Sequence, residues 1–310
     1  MVPKTAIIGA AGFIGKFFFE AYRKIYHDCI GTSRDASRDK TSFLDLFSPT
    51  IVPLRLAEFG YQEVLILAGI TKIATCAEEK ELTRKINVEG TLDLVGQLFS
   101  EGIKPIFFSS DAVFDGVTGF YEEEDLPNPM NEYARQKAEV ESRMKEICTD
   151  GNYLIVRISK VFSLNCGDGT LFDEMASIFK SGGIVRAAHD QIFSPIYVLD
   201  LVEIVKILQI KGVTGVMNIN PPEIWSRYDL ALALADCMEV SSDQVEKISL
   251  DDLPETFKRP KNTSMKADKI IRETGFKFTP TIEYIERIAE NWREKVNRED
   301  RRIKLGNCRD

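Results

Sequence analysis

The sequence has few of the residues that build metal sites and disulfides. Its 310 residues include only six cysteines and two histidines, and no two cysteines lie within ten positions of each other. This spacing excludes a Cys-x-x-Cys pair, and a zinc site would need ligands from distant segments. We therefore expect no metal site. Cysteines at such low density are typical of proteins in a reducing cytoplasm.

Targeting and membrane segments are also lacking. The chain begins Met1-Val2-Pro3-Lys4 and passes directly into a predicted strand, without the basic region, apolar core and cleavage site of a signal peptide. No stretch of about 18 uncharged apolar residues occurs that could span a bilayer. The sequence therefore predicts a cytoplasmic protein without a membrane segment.

Positive charge is scarcer than negative charge. Lys and Arg number 40 against 48 Asp and Glu, which gives a formal net charge of −8. Such a chain is repelled by nucleic acid and by anionic membranes unless it carries a local basic patch, and we expect neither as a partner. A basic cluster near the C-terminus is interleaved with acidic residues, which favours a solvated helix or tail. It comprises Arg298, Glu299, Asp300, Arg301, Arg302 and Lys304.

Short apolar runs alternate with amphipathic segments over the first half of the chain. Runs that are apolar throughout favour strands buried on both faces of a sheet. The predicted strands are 5–8, 29–32, 42–46, 64–68, 106–108 and 153–158, and the predicted helices are 12–26, 88–99 and 132–147. This alternation predicts an α/β fold with a Rossmann-type, doubly wound parallel sheet.

Beyond Ile158 the alternation weakens. Helices are predicted over 198–208 and 281–296, with a short strand at 216–219. Ser226 with Asp229 fits a capping box that opens a further helix. A chain of this length has about two domains, so we expect a smaller C-terminal lobe packed on the sheet. The predicted Rossmann domain comprises 1–162 and 196–222, and the lobe comprises 163–195 and 223–310.

A glycine-rich loop, with Gly9, Gly12 and Gly15 spaced three apart, joins the first predicted strand to the first helix. Gly9 permits a tight turn, Gly12 lets a pyrophosphate approach the backbone, and Gly15 lets helix and strand pack closely. Phe13 and Ile14 open the helix, whose N-terminus faces the anion. The loop predicts dinucleotide binding, and a plain glycine turn is the alternative interpretation.

The end of the second predicted strand distinguishes between the two nicotinamide cofactors. An NAD-preferring site usually has Asp or Glu there for the ribose hydroxyls, whereas this chain has Ser33 and Arg34. A guanidinium grips phosphate with a planar fork, so this pair suits the 2′-phosphate of NADP. Asp35 follows directly, so NAD stays possible. A surface arginine at a strand end is the alternative interpretation of Arg34.

Tyr133 and Lys137 lie four residues apart on a predicted helix and share one face. A phenol with its ordinary pKa near 10 is a poor acid or base at neutral pH, and a nearby ammonium lowers that pKa. Ser110 ends a buried strand about 23 residues upstream, where a hydroxyl points into the ligand crevice of a parallel sheet. The three residues predict acid–base catalysis on a carbonyl group. The alternative for Tyr133 and Lys137 is a solvated helix face.

These features together resemble an extended short-chain dehydrogenase/reductase, and in particular the dTDP-4-dehydrorhamnose reductases and their relatives. The resemblance covers nearly the whole chain to about residue 290. Further stretches that carry it are 109–116, 121–125, 129–133, 157–162, 190–191, 194–195 and 259–262.

The resemblance implies a Rossmann domain with a C-terminal lobe that binds a sugar nucleotide, and hydride transfer at a sugar carbon. It implies that Lys137 also holds the nicotinamide ribose. It further implies that Asp45 and Leu46 flank the adenine and that Ala68 and Gly69 line the cofactor groove. Helix-mediated homodimers are usual among such folds, so a homodimer is possible.

The expected substrate-binding residues are Asp111, Lys160 and Arg259, and Asn87 is expected to support the active site structurally. Two of the surrounding positions depart from the family. Rhamnose reductases carry an aromatic residue at the position of Lys160 and a tyrosine at the position of Ala112. The sugar and the nucleotide therefore stay open. Arg259 is expected to clamp a diphosphate, with a structural arginine before a proline as the alternative.

The sequence thus predicts an NADP-dependent reductase of a 4-keto sugar nucleotide, with Tyr133 as proton donor and Ser110 orienting the oxygen. One alternative is an epimerase or dehydratase that keeps NAD bound. Dehydratases of this fold place an Asp-Glu pair after the active-site hydroxyl, and Ala112 stands at the second position here. The other alternative is a regulatory partner, as the beta subunit of methionine adenosyltransferase is.

Overall fold

The strands predicted for the first half of the chain lie side by side in one parallel sheet. The computed structural model describes residues 1–35, 41–253 and 258–306, with side chains as far as Lys295. In these ranges the strands are β1 (Thr5–Ile8), β2 (Gly31–Ser33), β3 (Ser42–Phe43), β4 (Glu63–Ile66), β5 (Lys104–Ser110), β6 (Leu154–Ile158), β7 (Val161–Phe162), β8 (Val185–Ala188), β9 (Ile192–Phe193), β10 (Ile196–Tyr197), β11 (Gly215–Ile219), β12 (Trp225–Ser226) and β13 (Val245–Ile248). The α-helices are α1 (Phe13–Arg23), α2 (Ile73–Glu78), α3 (Lys80–Arg84), α4 (Thr91–Ser100), α5 (Glu132–Ile147), α6 (Leu171–Lys180), α7 (Val198–Ile210), α8 (Arg227–Cys237), α9 (Asp268–Thr274) and α10 (Thr281–Gly306).

The central sheet has seven strands in the order β3-β2-β1-β4-β5-β6-β11, all parallel to their neighbours. Every residue of β1, β4 and β6 is buried, which is why these segments are mostly apolar. The strand order reverses between β1 and β4. A crevice for ligands forms at such a point, outside the carboxyl ends of the strands. The predicted Rossmann-type, doubly wound parallel sheet is confirmed.

Helices cover both faces of this sheet. On one face, Val95 of α4 and Val140 of α5 pack in a buried cluster with the strands. On the other face, Phe18 of α1 and Val205 of α7 do the same. Among the described residues, no helix is long and apolar enough to cross a membrane.

Some predicted elements differ in extent. The first helix ends at Arg23 instead of residue 26, and the last continues beyond residue 296 to Gly306. The helix predicted at 88–99 begins with π-helical turns, Lys85–Gly90, which continue into α4. Gly90 is needed there because a Cβ would collide with the carbonyl oxygen of Leu46. The side chains of the C-terminal basic cluster lie outside the described residues.

A separate apolar cluster forms away from the central sheet. It is built by α6, α8 and α10 around residues such as Phe172, Leu234 and Ile288, all at most 2% exposed. These helices belong to the predicted lobe, while Ile270 of α9 packs with the second face of the sheet. The segment around α9 thus joins the Rossmann side of the molecule. The division of the chain into two domains stays a prediction.

A buried ion pair joins β6 to α5. The Arg157 guanidinium donates to both oxygens of the Glu141 carboxylate over 2.8 to 3.2 Å, and both side chains are at most 2% exposed. Ser109 of β5 donates to the same carboxylate, and the Arg157 guanidinium lies 5.0 Å from the centre of the Phe114 ring. This pair fixes β5, β6 and α5 relative to one another.

We expect Arg157→Met to lower the free energy of unfolding by about 3–5 kcal/mol, because the Glu141 carboxylate would stay buried without its partner. The double variant Arg157→Met/Glu141→Met should recover most of the loss, since it leaves no unpaired charge. Arg143→Ala is the control, because the Arg143–Glu139 pair is largely exposed and should contribute about 0.5 kcal/mol or less. Urea unfolding of the four proteins measures this, and equal stability of wild type and Arg157→Met would contradict it.

Candidate active site

The glycine loop follows β1 directly and leads into α1. Gly9 has a φ of +94°, and a Cβ there would lie 2.7 Å from the backbone nitrogen of Ala68. Both the backbone conformation and the contact therefore require glycine. A Cβ at Gly15 would collide with the carbonyl oxygen of Gly9, so helix and turn pack closely as predicted. Gly12 precedes α1 as its N-cap residue, and the first-turn N–H groups of a helix have no intrahelical acceptors and suit an anion.

A crevice of about 250 Å³ opens beside this loop, at the reversal of the strand order. Most of the residues predicted to bind the cofactor line it together. They are Gly9, Gly12, Ser33, Arg34, Asp45, Leu46, Ala68 and Gly69. Phe13 and Ile14, also predicted, are half-buried in the first turn of α1, and Gly15 is buried behind them. The crevice also includes residues that the sequence analysis missed, namely Ala11, Leu44, Leu67, Ile70 and Ile86.

One end of the crevice carries the residues expected to discriminate between the cofactors. Ser33 is buried, and its hydroxyl lies 2.8 Å from the Thr41 hydroxyl and donates to the Asp35 carbonyl over 2.6 Å. Arg34 is exposed at the rim. Asp45 is half-buried, and its carboxylate accepts the N–H of Phe47 over 3.0 Å. The Arg34 side chain is therefore open to solvent at this end of the crevice.

Asn87 lies in the π-helical turns and ties the crevice wall to α5. Its side-chain oxygen accepts the N–H of Ile70 over 2.7 Å, and its nitrogen donates to the Ile70 carbonyl over 2.9 Å. The same nitrogen donates to Gln136 of α5 over 2.8 Å. Ile70 belongs to the crevice wall, so Asn87 fixes that wall against the helix that carries Tyr133.

Ser110 and Asp111 stand at the carboxyl end of β5. The Ser110 hydroxyl donates to the Asp111 carboxylate over 3.0 Å. That carboxylate is 8% exposed and also accepts the hydroxyls of Ser159, over 2.9 Å, and Thr263, over 2.7 Å. Asp111 therefore connects three chain segments, of which the last belongs to the predicted lobe.

Tyr133 lies in the first turn of α5, which Asn131 caps by accepting the N–H of Ala134 over 3.0 Å. The half-buried Tyr133 forms a hydrogen bond with Ser110. Burial raises the pKa of Tyr133, the negative charge of Asp111 adds to the rise, and the hydrogen bond with Ser110 opposes it. The phenol therefore keeps its proton at neutral pH, and the expected lowering of its pKa by the Lys137 ammonium is wrong, because burial is the largest cause and raises the pKa.

Lys137 lies one turn further along α5. Its ammonium donates to the Phe108 carbonyl of β5 over 2.7 Å and lies 6.0 Å from the centre of the Tyr133 ring. Burial lowers the pKa of Lys137 to about 8, and the carboxylate of Glu141 opposes that shift. Ser110, Tyr133 and Lys137 thus meet at the carboxyl edge of the sheet, as the sequence predicted for a site of proton transfer.

A second cavity, of about 790 Å³, is lined by Arg259 and other residues of the predicted lobe and by Asp115, Val117 and Met130 of the predicted Rossmann domain. Arg259 and Lys160 are both exposed, and their charges act on one another. Arg227, the first residue of α8, faces the same group of charges. The charges of Asp111 and Arg259 thus both act on Lys160, and the joint role of these three residues in substrate binding stays a prediction.

The sequence analysis missed Arg227 and Thr263. Arg227 directly follows Ser226, which caps α8 by accepting the N–H of Asp229 over 3.0 Å, as predicted. Its position at a helix start was thus visible, but its approach to Arg259 depends on how the lobe folds. No motif or spacing around Thr263 indicates that its hydroxyl contacts Asp111. Within the described part of the chain, no three His, Cys, Asp or Glu side chains are arranged to hold a metal ion, and the absence of a metal site stays a prediction.

The sequence of this chain is similar to those of known proteins. A probable low-salt glycan biosynthesis reductase of Haloferax volcanii is 26% identical over 284 residues, which cover 89% of this chain and 94% of that protein. The methionine adenosyltransferase 2 subunit beta of Bos taurus is 24% identical over 276 residues, which cover 86% of this chain and 81% of that protein. Both alignments extend over most of the two chains compared.

The fold is shared with solved structures. The dTDP-4-dehydrorhamnose reductase of Bacillus anthracis, in complex with NADP, superposes with a TM-score of 0.81 and 24% identity, covering 93% of this chain and 99% of that one. The family described as the RmlD substrate binding domain matches residues 4–294. The resemblance inferred from the motifs is confirmed, and the chain belongs to this family.

Proposed function

We propose that this protein is an NADP-dependent reductase of a 4-keto sugar nucleotide. The observation that carries the proposal is the meeting of Ser110, Tyr133 and Lys137 at the carboxyl edge of β5. The neighbouring strand β4 leads into Ala68 and Gly69, which line the crevice beside the glycine loop. A carbonyl group held at Ser110 would therefore lie next to the proposed cofactor site.

The crevice residues fit a dinucleotide with a 2′-phosphate. Gly9 and Gly12 leave room for a pyrophosphate at the start of α1, and Arg34 offers a cation at the rim. When bound, the nicotinamide cofactor would supply the hydride that reduces the keto carbon. The Bacillus anthracis reductase with the same fold was solved with NADP.

Tyr133 is proposed to supply the proton. Because burial raises its pKa, the phenol keeps the proton that it must give to the carbonyl oxygen. Ser110 holds that oxygen through its hydroxyl, so that the proton, moving from the phenol, completes the new alcohol. The positive charge of Lys137, 6.0 Å from the ring, stabilises the phenolate that remains.

The alternatives predicted from the sequence are less well supported. A dehydratase needs an acid and a base for the departing water besides the hydride chemistry, and Ala112 supplies neither. A regulatory role is favoured by relatives named as a subunit of methionine adenosyltransferase 2, whereas the hydrogen bond between Ser110 and Tyr133 and the position of Lys137, 6.0 Å from the centre of the Tyr133 ring, favour catalysis. A homodimer and a cytoplasmic location stay predictions.

We expect Tyr133→Phe to reduce turnover of the keto sugar nucleotide roughly 100-fold or more, because the variant loses the proton donor. Affinity for NADPH and the melting temperature should stay near wild type. Tyr153→Phe removes a phenol from the start of β6, away from the carboxyl edge, and serves as the control. Steady-state kinetics measure this, and near wild-type turnover in Tyr133→Phe would remove Tyr133 from the mechanism.

Arg34→Ala should weaken NADPH binding by about 1.5–3 kcal/mol and leave NADH binding nearly unchanged, because only NADPH brings a 2′-phosphate. Arg55→Ala is the matched control, since Arg55 pairs with Glu58 on the surface. Fluorescence titration of both variants with both cofactors provides the measurement. An equal loss for NADH and NADPH in Arg34→Ala would mean that Arg34 does not recognise the phosphate.

We expect kcat/KM for NADPH to fall as the pH rises above about 8, because Lys137 then loses the charge that holds the ribose and stabilises the phenolate. Unfolding does not cause this fall. The pKa of Lys137 is lower in the folded chain than its ordinary value of 10.5, so its contribution to stability rises with pH between about 8 and 10.5. Melting curves over the same range control for stability, and a flat kinetic profile up to pH 10 would contradict the role of Lys137.

A further inference from the structure

Three cations converge at the substrate side of the candidate active site. Lys160 follows β6, Arg227 begins α8, and Arg259 lies on the loop that lines the second cavity. Asp111 and Glu174 are the carboxylates that face Lys160. The local charge is therefore positive, in a chain whose formal net charge is −8.

Lys160 lies at the reacting end of this group. Ser110 is the register partner of Ile158 in the pairing of β5 with β6, and Lys160 comes two residues after Ile158. The intervening Ser159 donates its hydroxyl to Asp111, which in turn accepts the hydroxyl of Ser110. The backbone of Lys160 is thus held beside the proposed carbonyl site, whereas Arg227 and Arg259 belong to the predicted lobe, and the charges of both act on Lys160.

Among the described residues, no acidic side chain pairs directly with Lys160. Its backbone carbonyl accepts the N–H of Ile196 over 2.9 Å, but its ammonium forms no hydrogen bond or ion pair with the described residues. Asp111, whose charge acts on Lys160, already accepts three hydroxyls. The Lys160 side chain is exposed, and the surrounding protein still desolvates its ammonium enough to lower its pKa. An ammonium without a partner can form a charge-assisted hydrogen bond with an anionic group of a ligand.

We propose that the substrate is a sugar nucleotide of the uronic acid type, whose carboxylate at carbon 6 binds Lys160 while Arg227 and Arg259 hold the diphosphate. This inference rests on the proposed function, because it takes the keto carbon 4 to be held at Ser110 and Tyr133. Carbon 6 is two bonds from carbon 4, which brings its carboxylate close to the side chain next to that site. A charged hydrogen bond there would also select against neutral hexoses.

The test compares matched pairs of ligands that differ at carbon 6. UDP-glucuronate is compared with UDP-glucose, and GDP-mannuronate with GDP-mannose, each titrated by calorimetry into the protein saturated with NADP. For wild type we expect the acid of at least one pair to bind ten times more tightly or better than its neutral counterpart. Lys160→Met should abolish this preference and change the affinity for the neutral sugar no more than twofold. Lys160→Arg should keep part of the preference.

Lys206→Met serves as the control, since Lys206 pairs with Glu203 on the surface of α7, and it should keep the full preference. Melting temperatures confirm that the variants fold. The inference is overturned if wild type shows no preference for the acids. It is also overturned if Lys160→Met weakens the binding of the neutral sugar nucleotide, free UDP and free GDP as strongly as the binding of the acid. In the second case Lys160 binds the diphosphate. If neither pair nor free UDP, GDP, dTDP or CDP binds, the proposed function fails as well.

Discussion

Three hydroxyls bound to the Asp111 carboxylate hold the candidate active site together. Ser110 comes from the end of β5, Ser159 from the end of β6 and Thr263 from the segment that follows the lobe's cavity loop. A buried carboxylate is stable only when its oxygens are hydrogen-bonded. The positions of these three segments are therefore interdependent, and the sheet edge that carries Ser110 is fixed against the segment that carries Thr263.

The layer beneath this edge is fixed by other buried polar contacts. The Arg157–Glu141 pair holds β6 against α5, and Lys137 of the same helix donates to the Phe108 carbonyl of β5. Asn87 connects α5 to the wall of the cofactor crevice. Helix α5 is thus held on both sides by buried polar contacts. These contacts fix the distance between Tyr133 and the wall of the cofactor crevice.

Short-range sequence patterns predict much of the fold and of the candidate site. The glycine loop, the apolar strands and α5, whose bounds 132–147 were predicted without error, follow from short-range spacing and capping. The convergence of the crevice residues follows from the rule that parallel strands open at their carboxyl ends. Thr263 and Asp111 are 152 residues apart in the sequence, and no local pattern in either segment indicates their contact. The π-helical turns around Asn87 were missed for the same kind of reason, because its partners Ile70 and Gln136 lie far along the chain.

Hydride transfer to the keto carbon of a sugar nucleotide is tested most directly with NADPH that carries two deuterium atoms at carbon 4 of the nicotinamide ring. The protein is incubated with this cofactor and with 4-keto sugar nucleotides that carry either a methyl group or a carboxylate at carbon 6. Mass spectrometry should find an alcohol with one deuterium on carbon 4 of the sugar. If none of these compounds is reduced while NADPH binds normally, the chain is not a reductase of this class.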